Sequence, residues 1–208
     1  MSTDSWNNLT KRDDYLPGGK LGGRVWDPIV PILEAHNHSV FTPTLKDEYS
    51  SNLTEHIEEI RTLIAEHNLI KTILVGHSYG GMVITGVAAR MADRIGKLMF
   101  VDAALPAPGQ SLFDIIASGG CDPMSFAGLE PAAPYVEKLQ FDPETIKQIP
   151  KIYILCTESE FSIVTNVAKK KIADAGNDWR YVELQTSHVP MATMPDRFAE
   201  LLLEIGGQ

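Results

Sequence analysis

Apolar residues recur along this chain in two rhythms. Short runs that are β-branched or aromatic in content occupy 38–42 (HSVFT), 71–75 (KTILV), 97–101 (KLMFV), 151–156 (KIYILC) and 179–184 (WRYVEL), and each predicts a β-strand. Between them the apolar positions take helical spacing. Asp27-Pro28 predicts an N-cap and first helical residue ahead of Ile29, Ile32 and Leu33, and Asn52 with Glu55 forms a capping-box pair before an Ile57, Ile60 and Ile64 stripe. Asp142-Pro143-Glu144 opens a short helix, and Thr193, Pro195 and Asp196 start a last one through Phe198, Leu201 and Leu202, with Gly206 as its C-cap. Strands that alternate with crossover helices predict an α/β protein whose mostly parallel sheet is covered by helices on both faces. In such sheets ligands gather beyond the carboxyl ends of the strands.

One segment breaks the alternation. Residues 105–150 are rich in Pro and Gly and carry no strand signal, so they read as a short cap excursion over one end of the sheet within a single domain spanning 1–208. Its Phe113, Ile116, Met124 and Phe126 suggest an apolar pocket.

Composition narrows the partners. The 208 residues carry 18 Lys and Arg against 27 Asp and Glu, a formal charge of −9. That balance excludes nucleic acid or an anionic membrane as a main partner, because counterion release needs clustered cations. A small-molecule substrate fits better, and oligomeric state is left open. The basic run Lys169-Lys170-Lys171 reads as the solvated face of a helix. Neither an apolar leader nor a stretch long enough to span a membrane is present, and Cys121 and Cys156 are too few for a disulfide framework, so a reducing, cytoplasmic setting is expected.

The candidate chemistry sits at Gly76-His77-Ser78-Tyr79-Gly80, directly after an apolar strand and ahead of a helix-compatible stretch. Gly-x-Ser-x-Gly in that setting is a nucleophile elbow. A serine on so tight a turn crowds the adjoining strand and helix, which is why Gly76, Gly80 and Gly81 lack side chains. Ser78 needs a base. His36, His38, His56 and His67 fall on early helices and strands as exposed or core residues, and His77 points away from its neighbour if the turn is strand-like. His36 and His38 lack further ligands for a metal. His188 lies on the loop between the last strand and the last helix, where a base belongs. For the acid that orients it, Glu160 in the turn TESEF is preferred, with Glu158 of the same turn and Asp102 directly after KLMFV as alternatives.

GHSYGGMV, VWDPIVPILEAHNHSVFTPTL and SHVPMATMPDRFAELL together resemble the esterase and hydroxynitrile lyase branch of the α/β-hydrolase family, which includes plant methylesterases and bacterial carboxylesterases. The resemblance covers the chain from about Tyr15 onward. It implies an α/β-hydrolase fold, a Ser78–His188–Glu160 triad, and an oxyanion hole made by the N–H groups of Tyr79 and Gly19. It further implies hydrolysis of a small carboxylic ester with no metal or organic cofactor. Two departures stand out: Pro17 replaces the histidine of the family's oxyanion loop, and NNLTKRDDYL replaces an apolar central strand. They motivate an alternative, a degenerate hydrolase fold that binds a small molecule or partner without turnover. Cyanohydrin cleavage is less favoured, because Val189 stands where that activity is associated with lysine.

Overall fold

The structure, a computed structural model, describes residues 13–16, 19–125 and 131–207. Pro17, Phe126 and residues 7–12 of NNLTKRDDYL, noted above, lie outside the described residues. The principal sheet has four parallel strands in sequence order, β3 (Thr72–His77), β4 (Ile95–Val101), β5 (Lys151–Cys156) and β6 (Trp179–Leu184). Ahead of them β1 (Asp13–Leu16) and β2 (Gly19–Leu21) form a separate antiparallel pair. Tyr15 and Leu16 therefore belong to this pair and not to a central strand of the main sheet.

Strand alternation splits the interior into two clusters. Leu98 and Phe100 of β4 and Tyr153 and Leu155 of β5 face one cluster; Met99, Val101, Ile152 and Ile154 face the other. The first is covered by α2 (Leu53–Glu66), α3 (Gly80–Arg90) and α6 (Ser162–Ala175). The second is covered by α1 (Val30–Ala35) and, after the short α7 (Pro190–Thr193), by α8 (Pro195–Gly206), with Trp26 tilted against Phe198 at 6.4 Å. Helices on both faces are what a sheet apolar on both sides requires. Among the described residues no helix is long and apolar enough to cross a membrane.

The Asn52 cap forms as its spacing predicts: its side chain accepts from Glu55 N–H while Glu55 returns the bond to Asn52 N–H. Ile57, fully buried, fills the seam between α2 and α3, where a Cβ on Gly86 would come within 2.3 Å of its Cδ1. Ile57→Ala is expected to destabilise the chain by about 2–5 kcal/mol through lost burial and a residual cavity, read as a lowered midpoint in urea unfolding.

Two expected elements differ. Residues 38–42 form no strand; Val40 and Phe41 are only half-buried, Phe41 lies against His67 at 4.8 Å, and the chain instead runs close under Gly22 and Gly23. A Cβ on Gly23 would meet the Thr42 carbonyl oxygen at 2.1 Å, and the Gly23 N–H donates to Thr44 Oγ1 at 2.8 Å. This backbone is satisfied by a loop rather than by a ladder. The first helix also starts later, with Ile29 at the cap and Pro31 in its first turn, because residues 23–26 are wound into a 3-10 turn.

Among the described residues of 105–150 there is no strand, but the segment holds α4 (Leu112–Ser118), capped by a Ser111–Asp114 box, and α5 (Ala133–Val136). Ile116 is fully buried in the core, whereas Met124 is exposed.

Candidate active site

β3 is buried along its whole length and ends at His77, leaving Ser78 in the left-handed region with φ 55°. For a non-glycine residue that conformation is strained and persists only where its surroundings hold it. Here they do. The Ser78 N–H donates to Val101 O at 3.3 Å, and the Ser78 carbonyl accepts from Ala104 N–H at 2.9 Å and Gly81 N–H at 3.3 Å. Gly76 and Gly81 are needed as expected: a Cβ on Gly76 would meet the Gly80 carbonyl oxygen at 2.7 Å, and one on Gly81 would meet that of Ala104 at 2.0 Å.

Asp102 occupies the equivalent position one strand over. His77 and Val101 are register partners, so Ser78 and Asp102 leave adjacent strand ends side by side. Asp102 is also left-handed, with φ 45°, and is fully buried. A buried carboxylate needs compensating donors. Its Oδ1 accepts from Cys156 N–H at 3.1 Å, and its Oδ2 accepts from the Ser159 hydroxyl and from His188 Nδ1 at 2.7 Å. Burial beside this carboxylate pushes the Cys156 thiol well above its ordinary range, which leaves it a neutral core residue.

His188 is buried between two rings, with His77 at 4.4 Å and Phe161 at 4.8 Å between centroids. His77 Nε2–H also donates to the His188 carbonyl at 2.6 Å. Because Nδ1 donates to Asp102, the neutral imidazole carries its lone pair on Nε2. That Nε2 is buried and has no hydrogen-bond partner among the described residues. A buried lone pair free of other partners is available to a general base, although in this structure it makes no hydrogen bond to the Ser78 hydroxyl.

The carboxylate that meets the histidine is thus Asp102, not the preferred Glu160. Glu160 is exposed, and Glu158, also exposed, accepts from Gln185 Nε2 at 3.1 Å. The turn that holds both directs the intervening Ser159 inward; its hydroxyl also lies 3.5 Å from His188 Nδ1 and accepts from Phe161 N–H at 3.0 Å. Residue spacing alone gave Ser159 no weight, because a serine between two acids looks like a solvated turn.

Tyr79 caps α3, and its phenol lies 3.1 Å from His56 Nδ1, with Tyr135 edge-on at 5.2 Å. His56 Nε2 lies 2.7 Å from Ser51 Oγ and 3.1 Å from Lys46 O. His56 is therefore a core histidine, as expected, yet it braces the residue that follows Ser78. Gly19 opens β2. Among the described residues no cluster of His, Cys, Asp or Glu is arranged to hold a metal ion.

A family model described as alpha/beta hydrolase fold matches residues 16–119. Over 108 residues the chain is 39% identical to a carbendazim hydrolyzing esterase of Nocardioides sp. (strain SG-4G), covering 48% of this chain and 44% of that protein. It is 22% identical over 251 residues to the putative chloroplastic methylesterase 15 of Arabidopsis thaliana, covering 94% of this chain and 56% of that protein. The chain spans about half the length of these curated relatives. The crystal structure of polyneuridine aldehyde esterase superposes with a TM-score of 0.78 at 17% identity, covering 99% of this chain and 100% of that one, a likeness of fold.

Proposed function

Because the chain belongs to the α/β-hydrolase fold family, we propose that it is a serine hydrolase that cleaves a small carboxylic ester or related acyl compound through Ser78, His188 and Asp102. The observation that carries this reading is the buried, unpartnered Nε2 of His188 on a ring whose Nδ1 is fixed by Asp102.

In this reading Ser78 Oγ attacks the acyl carbonyl while Nε2 takes its proton. The carboxylate of Asp102 stabilises the imidazolium that forms. The N–H groups of Tyr79 and Gly19 hold the oxyanion, and the α3 N-terminus beside Tyr79 favours the developing negative charge. The imidazolium then protonates the departing alkoxide, and a water activated by the same Nε2 hydrolyses the acyl-enzyme. The serine, histidine and acid supply all the proton transfers, so the cycle calls on no metal or organic cofactor. Excursion 105–150 acts as a cap of the single hydrolase domain that residues 1–208 form. Two free cysteines suit a cytoplasmic setting.

Support comes from the esterase names of the relatives and from the left-handed Ser78 at the end of a buried strand, the backbone a nucleophile elbow requires. A fluorophosphonate probe is expected to label the protein, with the adduct on the peptide that contains Ser78, and p-nitrophenyl esters of increasing acyl length are expected to be turned over with a maximum at short chains. Absence of both labelling and turnover would leave the binding-only alternative.

A further inference from the structure

A cavity of about 300 Å³ lies on the α3 side of the sheet with Leu98, Phe100, Phe141, Ile146 and Trp179 in its walls. Ser78, Asp102 and His188 do not line it. Lys151 and Trp179, the first residues of β5 and β6, place it toward the amino ends of these strands, whereas the serine, acid and base all follow carboxyl ends. Its floor is aromatic and aliphatic.

The charged groups that line it are Lys147, Lys151, Lys171, Glu144 and Asp178. Two of the three ammonium groups are already satisfied. Lys151 donates to the carbonyls of Ile146, Lys147 and Ile149 at 2.7, 3.2 and 2.9 Å, which uses its three N–H bonds. Lys147 is paired with Glu144 at 3.0 Å. Lys171 differs. Its ammonium donates to two neutral oxygens, Leu105 O at 2.6 Å and Gln110 Oε1 at 2.8 Å, and among the described residues it has no carboxylate partner. Instead of lying on a solvated face with Lys170, it is turned into the protein, and burial pushes its pKa down to about 8. A cation held in low-dielectric surroundings without a counter-ion is unfavourable, and an anion that arrives with an apolar body relieves that cost.

We propose that this cavity binds an amphipathic monocarboxylate, whose apolar body lies on Phe100, Phe141 and Trp179 and whose carboxylate accepts the third N–H of Lys171. At about 30 Å³ for each water-sized group the volume suits a ligand of about ten heavy atoms. A compact monoanion is favoured over a phosphate because Glu144 and Asp178 share the rim and repel further negative charge. The site is independent of the hydrolase reading and needs no turnover.

Decanoate is the probe, titrated calorimetrically into the full chain near neutral pH. Saturable binding at one site is expected, with Lys171→Met weakening it about tenfold or more while decanol binds both proteins alike and more weakly than decanoate binds wild type. Glu144→Gln, at an exposed position, is expected to tighten decanoate by removing repulsion and releasing Lys147. Affinity for decanoate should fall as pH is raised through about 8, where Lys171, which shares the cavity with Glu144, Asp178, Lys147 and Lys151, loses its proton, and Lys171→Met should abolish that step even though burial also lowers the pKa of Lys151. Equal binding of decanoate by wild type and Lys171→Met, or of decanol and decanoate by wild type, overturns the proposal. If Lys171→Met does not fold, the Glu144→Gln titration and the wild-type pH profile decide; no tightening and no fall in affinity refute the site.

Discussion

Asp102→Asn is expected to lower kcat for a p-nitrophenyl ester by about 10⁴-fold, whereas Glu160→Gln and Glu158→Gln leave it within about twofold. An amide at 102 keeps the volume and can still accept from Cys156 N–H, so the fold survives. What it loses is the anion. The amide can present an N–H to Nδ1 and so invert the tautomer, and it offers no charge to the imidazolium formed when Ser78 is deprotonated. Glu160 and Glu158 are exposed, and Glu158 is bonded to Gln185 rather than to the ring. Steady-state rates of the three variants separate the two acid positions, and a large loss in Glu160→Gln with none in Asp102→Asn would return the role to the turn after β5.

Ser78→Ala and His188→Ala are each expected to cost about 10⁶-fold in kcat, and the double variant no more than either alone. The serine and the imidazole act as one unit: an alcohol without its base is a poor nucleophile, and a base without the alcohol has nothing to activate. Additive losses would mean that the two side chains serve separate steps. Thermal unfolding supplies the control. Ser78→Ala retains the backbone bonds to Val101, Ala104 and Gly81 and should melt close to wild type, so lost activity with an unchanged midpoint reads as chemistry.

Much of this architecture is written in residue pattern, and the exceptions have physical causes. β3, β4 and β5 are largely apolar on both faces, and the edge strand β6 keeps aromatic and β-branched residues beside Arg180 and the exposed Glu183, so length and residue content suffice to find all four. The Asn52 box closes within one helical turn and needs no tertiary information. HSVFT has the composition of a strand, but strand formation depends on a partner, and this segment packs its backbone against two glycines instead. The acid is a subtler case. TESEF offers two carboxylates at a strand end, and the family pattern favours the second, yet the turn sends them outward and the hydroxyl between them inward. Asp102 had a signal of its own: β4 is the next apolar strand after β3, and consecutive parallel strands commonly pair. A carboxylate directly beyond that neighbour therefore emerges beside the serine, in a left-handed position that aspartate tolerates better than most residues.

The contact between His77 and the loop that carries the base has a mechanical consequence. His77 precedes the nucleophile in the chain and donates to the main-chain carbonyl of His188, so excursions of the final loop that carry this carbonyl away must first break that hydrogen bond or pull on the strand terminus. The main chain that bears the base is thereby coupled to the residue before the nucleophile, and this bond resists loosening of α8 that would otherwise spread along the loop.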